Sequence, residues 1–368
     1  MDRRKFIRGV ATGAAGFGAA SSLAAPALAQ SNPKLQWRCV SSFPNSLPAL
    51  FGASEYISNY VKEMTDGAFT IQPFAAGEIV PGGQVLDAVQ SGTVEMGHTA
   101  SYYYVGKDPA FAFGTTVPFM LNARQQNAWF YRGGGNELLD AFFEKHGVFA
   151  RPAGNTGAQM GGWYRNEINS LADMKGLKMR IAGLAGQVMA KLGVVPQQIP
   201  AGDIYAALEK GTLDAVEFVG PFDDEKLGFV KVAPYYYYPA WWEGGAATHA
   251  MITLDRWNEL PKPYQAVVKA ACEAANGHML ATYDWENPKA IKSLVGKGAQ
   301  LRPFSQEIMQ ASFRASQEVM KDIAGKNATF KTLYDSQTAF RGESFLWEQL
   351  AEYNFDTFMM IQQRSGAI

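Results

Sequence analysis

Apolar and polar positions alternate along Leu35-Gln36-Trp37-Arg38-Cys39-Val40, the two-residue period of a strand with one face in a core. Helical spacing takes over across residues 54–64, and residues 69–74 read as a second strand closed by Ala75-Ala76-Gly77. Residues 177–181 predict another strand, 186–192 a short helix, and 247–253 a long strand on a return crossing. Strands alternating with helices predict an α/β fold with a mainly parallel sheet in each lobe, flanked by helices, and ligands outside the carboxyl ends of the strands. Past Pro263 the spacing is helical, over 265–283, 306–323 and 343–363. In the last segment Phe345, Leu346, Leu350, Tyr353, Phe355, Phe358, Met359 and Ile361 spread over more than one stripe. Such a helix contacts more than one surface, either both lobes or a second subunit.

The chain echoes itself once. Residues 85–97 (Val85 to Gly97) match 204–216 (Ile204 to Val216): an amphipathic helix, a Gly just past its end (Gly92, Gly211), then a Thr that opens a short apolar strand. Gly is the residue that takes the left-handed cap without steric cost. Two copies about 120 residues apart point to two similar α/β units, or to two unrelated αβ turns.

The beginning of the chain is an address. Arg3-Arg4-Lys5-Phe6-Ile7 has the form of a twin-arginine export signal, followed by a weakly apolar Gly/Ala stretch and an Ala27-Leu28-Ala29 cleavage site. Removal of residues 1–29 leaves about 340 of the 368 residues, enough for two lobes. It also removes a net charge of +3, which takes the formal −1 to about −4, so the charge balance offers nothing to nucleic acid or to an anionic membrane surface. Cys39 and Cys272 are the only cysteines, and they form either a bridge or two buried small hydrophobes.

Local signatures of catalysis are missing. No His-x-x-x-His, Cys-x-x-Cys or G-x-S-x-G occurs, and Gly133-Gly134-Gly135 lacks the Lys-Ser/Thr of a phosphate loop. Asp223-Asp224-Glu225-Lys226 reads as a solvated helix start. Arg180, at the end of an apolar strand before Ala182-Gly183, either holds a carboxylate in the cleft or makes an internal salt bridge. Glu217 ends the strand of the second repeat, where His98-Thr99 ends that of the first, and Glu243 follows Trp241-Trp242. Carboxylates beside an acid ligand need a cation, an arginine or a hard metal ion, to which Asn155 and Gln159 can lend neutral oxygens; ordinary loop capping is the alternative for each. Tyr102-Tyr103-Tyr104, Trp163, Phe218, residues 235–238, Trp241 and Trp242 suit a pocket with one wet end, though the 235–238 tyrosines suit packing between lobes better.

Leu177-Lys178-Met179-Arg180, the run Asp203 to Gly211, and Asp214-Ala215-Val216-Glu217, in this order and spacing, resemble the solute-binding component of tripartite ATP-independent periplasmic (TRAP) transporters over the whole mature chain. The runs 154–163, 195–198 and 235–245 resemble the branch that binds 2-oxo acids such as pyruvate. The resemblance implies a two-lobed periplasmic binding protein, not an enzyme, that closes by hinge motion and hands its ligand to small and large membrane subunits. Lobe I would comprise 30–157 with 246–285, and lobe II 158–245 with 286–335; 336–368 would be a C-terminal helix able to exchange between subunits of a homodimer. It further implies that Arg180 grips the substrate carboxylate and that Tyr102 or Tyr103 lines the pocket. Gln159, Glu217, the backbone oxygen of Phe218, and Glu243 would hold sodium, or calcium in some relatives, and that ion would touch the substrate. Phe218 replaces the Trp of close relatives, which implies room for a longer or branched acid. Lactate, another 2-hydroxy acid or a dicarboxylate are the alternative ligands, and a sensor receptor the alternative partner.

Overall fold

A computed structural model describes residues 32–368; the twin-arginine signal and its cleavage site lie outside the described residues. The chain runs through β1 (Leu35–Ser41), α1 (Leu50–Met64), β2 (Phe69–Phe74), α2 (Val85–Gln90) and β3 (Met96–Thr99). Three helices, α3 (Ala112–Thr115), α4 (Ala123–Arg132) and α5 (Gly135–Lys145), lead to β4 (Val148–Asn155). A second group follows: β5 (Trp163–Tyr164), β6 (Lys178–Arg180), α6 (Ala185–Lys191), β7 (Val195–Gln197), α7 (Ala201–Glu209), β8 (Ala215–Val216), α8 (Pro221–Leu227) and β9 (Tyr235–Tyr238). β10 (Ala247–Thr253) rejoins the first group, α9 (Leu254–Glu259) and α10 (Lys262–Gly296) follow, and β11 (Gln300–Pro303) rejoins the second. The chain ends in α11 (Gln306–Ala324), α12 (Ala328–Glu348) and α13 (Glu352–Ser365).

The first sheet has the order β2-β1-β3-β10-β4 and the second β11-β9-β5-β8-β6-β7. Every strand of the first runs one way except β10, and every strand of the second except β5. Both sheets are thus mainly parallel, and the exceptions have a common cause. β5 is entered from the carboxyl end of β4, and β10 from the carboxyl end of β9. A strand entered from the edge where its neighbours finish has to run against them, so the two reversed strands mark where the chain crosses between sheets, carboxyl edge to carboxyl edge.

Both halves of the repeat form. Gly92 (φ 70°) follows the C-cap of α2 and Gly211 (φ 73°) that of α7, each donating its N–H to a carbonyl of the last turn. The strands begin at Met96 and Ala215, three residues beyond the Thr expected to open them. The helix expected over 265–283 reaches Gly296 and contains Pro288; it packs on β4 and α1 on one side and on α8 on the other. The helix expected over 343–363 is two helices: α12 starts earlier, where the Asn327 side chain accepts the Phe330 N–H (2.8 Å), and the chain breaks at Ala351 (φ −98°, ψ −89°). No Gly or Pro marks that break. α13 buries no residue, and Leu350, Phe355 and Phe358 are 71%, 66% and 60% exposed. Cys39 and Cys272 are free thiols buried with Trp37, Ile57 and Phe69, and burial pushes Cys272 up to about 12.

Candidate functional site

Arg180 closes β6, between β7 and β8, with Met179 turned into the core. The residue is 1% exposed. Nη1 donates to Glu217 Oε1 (2.7 Å) and to the Glu217 carbonyl (2.8 Å), and Nε donates to the Ile199 carbonyl (3.2 Å). The Phe218 ring stands 5.4 Å from the guanidinium carbon. Burial works against the charge of Arg180, but Glu217, then Tyr103 and Tyr102, hold its pKa above the ordinary value. Burial pushes the Glu217 carboxyl up, with Arg180 and the Ala182 N–H opposing. Taking two charges out of water costs several kcal/mol each, so such a pair survives only with its remaining lone pairs matched.

One lone-pair set is not matched. Glu217 Oε1 accepts from Arg180 and from the Ala182 N–H (2.9 Å), but Glu217 Oε2 is buried without a partner. Glu243 Oε2 is in the same condition, and burial, reinforced by the charge of Glu217, pushes that carboxyl well above the carboxylate range. Gln159 donates through Nε2 to Thr156 Oγ1 (3.0 Å) and leaves Oε1 buried and unpartnered. The backbone brings these three together. Gln159 N–H donates to the Glu243 carbonyl (3.2 Å), Ala240 N–H to the Gln159 carbonyl (3.1 Å), and Met160 N–H to the Val219 carbonyl (3.0 Å). A Cβ on Gly162 would stand 2.4 Å from the Val216 carbonyl oxygen and 3.1 Å from Glu217 Cα, so only glycine lets the strand carrying Trp163 lie against the strand carrying Glu217.

Buried acceptors without donors are rare, and a cation satisfies them. The side chains able to hold one here are Gln159, Glu217 and Glu243, with the Phe218 carbonyl next in the chain, a set of hard oxygen donors that fits a sodium or calcium ion. Among the described residues no group of three or more His, Cys, Asp or Glu side chains is placed to hold a metal.

Two cavities adjoin this cluster. One, of about 100 Å³, is lined by Ser42, Gly82, Gly83 and Tyr103 from the first sheet's loops and by Arg180 and residues 198–201 from the second's. The other, of about 20 Å³, lies among Phe43, Tyr102, Tyr103, Thr156, Gln159 and Phe218. Tyr103 lines both. Gln198 Nε2 donates to the Tyr103 carbonyl (3.1 Å), and Gly183 has no room for a Cβ, which would be 2.6 Å from the Tyr102 ring. The carboxyl edges of the two sheets therefore meet around Arg180.

Several sequence candidates lie elsewhere. Asn155 caps a loop, accepting from Gly157 N–H (2.9 Å) and donating to Gln126 (2.9 Å). His98 is buried against Thr248 (2.8 Å) and Phe43. Tyr104 belongs to the first core, with its hydroxyl between Thr99 and the Leu86 N–H. Tyr236 stacks on Trp163 at 3.8 Å, and Trp241 stacks on Phe119. The acidic run is a correction: Asp223 and Asp224 are buried, not solvated, because aromatic donors from other elements reach them. Gln198 is not among the sequence candidates for the site; its signals are the run 195–198 in the resemblance and the polar pair Gln197-Gln198 at a strand end.

Two sheets joined by crossing strands, with a buried guanidinium and unpartnered oxygens between their carboxyl edges, define a two-lobed ligand-binding protein. Residues 41–327 match the model of bacterial extracellular solute-binding protein, family 7, and the chain belongs to that family. The chain is 52% identical over 331 residues to the monocarboxylate 2-oxoacid-binding periplasmic protein of Nostoc sp., covering 90% of this chain and 91% of that one. A TRAP transporter solute-binding protein of Bordetella bronchiseptica, a mixed-occupancy dimer with calcium and picolinate in one active site and the other apo, superposes with a TM-score of 0.90 at 46% identity, over 91% of this chain and 100% of that one. The TRAP periplasmic solute-binding protein of Pseudoalteromonas atlantica, with bound sodium and pyruvate, gives 0.85 at 38% identity, over 88% and 98% of the two chains. That of Colwellia psychrerythraea, with bound calcium and pyruvate, gives the same values. The family is one of solute-binding receptors rather than enzymes, and this chain is a TRAP-type solute-binding protein.

Proposed function

We propose that this protein captures a 2-oxo monocarboxylate, pyruvate or a near homologue, together with a sodium or calcium ion, and delivers it in the periplasm to TRAP membrane subunits. The observation that carries this reading is the convergence of a buried guanidinium with three buried oxygens that lack donors: Gln159 Oε1, Glu217 Oε2 and Glu243 Oε2. The names of the Nostoc relative and of the pyruvate-bound structures support the ligand class. A cation at those oxygens supplies fixed positive charge for the carboxylate and 2-oxo oxygen of the ligand. Arg180 uses Nη1 and Nε on the protein, while Nη2 makes none of these bonds, and its side chain borders the larger cavity. That nitrogen takes the ligand carboxylate, by a charge-assisted bond in a site closed to water. Tyr103, between the two cavities, and Phe218 beside Arg180 pack on the carbon chain.

Charge counting bears on the ion. Glu217, Glu243 and the ligand carboxylate oppose Arg180 alone; a calcium ion closes the balance, and sodium requires a proton on one carboxylate. Residues 30–157 with 246–285 and 158–245 with 286–335 act as the moving lobes. Contacts such as Gln198 to Tyr103 form only on closure, and a ligand touching both sides stabilises the closed state relative to the open one. Export follows the twin-arginine signal, and the exposed apolar faces of α12 and α13 pair two copies, a reading the Bordetella dimer supports. Calorimetric titration with pyruvate, in calcium, in sodium and after chelation, tests the function. Cation-dependent binding is expected, and no binding of any 2-oxo acid with either ion would overturn it.

A further inference from the structure

Six residues beyond the cation-facing Phe218, α8 carries two adjacent carboxylates, Asp223 and Asp224, which are 0% and 1% exposed. All their close donors are neutral and come from other elements. Asp224 Oδ2 accepts from Tyr236 Oη of β9 (2.6 Å) and Trp163 Nε1 of β5 (3.0 Å), while Oδ1 faces the Val219 N–H (3.5 Å). Asp223 Oδ2 accepts from Tyr283 Oη of α10 (2.5 Å), and its Oδ1 has no partner. The nearest cation, Lys226, donates instead to the Phe222 carbonyl (3.0 Å) and lies over the Phe222 ring. Lys226 acts on Asp223 through space only, and Glu225, with Glu286 of α10, acts on Lys226 in the same sense as Asp223 does.

Two buried carboxylates side by side without a hydrogen-bonded counter-ion among the described residues break an ordinary rule of packing, and such breaches concentrate where function requires them. What they join is specific. Val219 is the residue after Phe218; Trp163 pairs with Val216 in the sheet; Tyr236 stacks on Trp163. Tyr283 belongs to the helix that also packs on β4 and α1 of the first lobe.

We propose that Asp223 and Asp224 are positioning residues: they hold the segment Glu217–Val219 in register with β5, β9 and α10, so that ligand affinity depends on them although neither touches the ligand. Through Asp224 the cation-facing oxygens are fixed within their own lobe, and through Asp223 that lobe is tied to the helix that reaches the other. This rests on the function proposed above.

The test is titration of the full mature chain with pyruvate in excess calcium. Asp224→Ala is expected to bind at least tenfold more weakly. Asp224→Asn, which keeps an acceptor oxygen for Tyr236, is expected to stay within about threefold of wild type. A control, Leu333→Ala in α12, destabilises the core away from the site and should bind within about twofold of wild type. Tyr283→Phe, which removes one hydroxyl, covers the case in which Asp224→Ala does not fold; at least threefold weakening is expected. Wild-type affinity in whichever of Asp224→Ala or Tyr283→Phe is folded overturns the inference alone. So does an equal loss in Leu333→Ala, because instability would then suffice. A wild-type protein that binds no 2-oxo acid with either ion overturns the proposed function, and this inference with it.

Discussion

Two pairs of buried carboxylates sit in one lobe and are treated differently. Asp223 and Asp224 receive neutral donors, two tyrosine hydroxyls and an indole, and among the described residues no cation hydrogen-bonds to them. Glu217 and Glu243 face Arg180 and each other, and each retains a buried oxygen that nothing among the described residues satisfies. Burial raises all four, so pKa direction alone does not separate them. What surrounds the unmet oxygens separates them. Asp223 and Asp224 are tied by donors from β5, β9 and α10, with Asp223 Oδ1 alone left over, whereas the unmet oxygens of Glu217 and Glu243 converge with Gln159 Oε1 beside Arg180.

The contrast can be broken most directly at Arg180. Arg180→Ala should reduce pyruvate affinity by at least a hundredfold, about 3 kcal/mol, by titration calorimetry, and should also lower the melting temperature of the ligand-free protein because Glu217 loses its partner. Glu217→Gln keeps the shape and removes the charge; a loss of about thirtyfold is expected, with the calcium dependence of what remains abolished. If that variant still responds to calcium like wild type, Glu217 does not face the ion. Gln159→Leu removes one neutral oxygen and should cost about tenfold, recoverable in part at high calcium.

The smallest effect sharpens the comparison by pH. Asp223 and Asp224 are raised by burial to about 6 and about 7, above the ~3.8–3.9 of an unfolded chain. Between those limits the folded state binds more protons than the unfolded one, so their contribution to stability is complete below pH ~4 and is lost as pH rises through 6 to 7. Each can supply at most about 1.4 kcal/mol per pH unit across that window. Glu217 and Glu243 act in the same sense in the empty protein, and calcium with pyruvate should hold both ionised. The fall of the melting temperature with rising pH that survives saturation with calcium and pyruvate is then expected to shrink in the double variant Asp223→Asn, Asp224→Asn, while the opposite slope from His98 and His249, which burial holds at about 3, remains. A slope unchanged by that double variant would assign the titration elsewhere.

How much of this was legible beforehand varied with the range of the interaction. The strands β1, β2 and β10 and the two glycine-capped helices follow from spacing within a dozen residues, and they lie where the spacing put them. The break at Ala351 did not announce itself, because no Gly or Pro marks it and apolar residues continue on both sides. Asp223 and Asp224 were misread since their donors arrive from positions 163, 236 and 283. At Arg180 the sequence left two readings open, an ion pair or a free fork. The structure contains the ion pair, made by Nη1 to Glu217, while Nε donates to the Ile199 carbonyl.

The reversed strands have a mechanical corollary. In the first sheet the strands through which the chain leaves and re-enters, β4 and β10, lie together at one end of the order; in the second, β5, β9 and β11 do the same. All three tethers therefore bind one flank, and the opposite flank, marked by β2 and β7, is unstitched. On the lobe movement proposed above, the gap would open like a book with its spine at the tethers, and solute would enter over the fore-edge, past Gly82, Gly83 and Gln198.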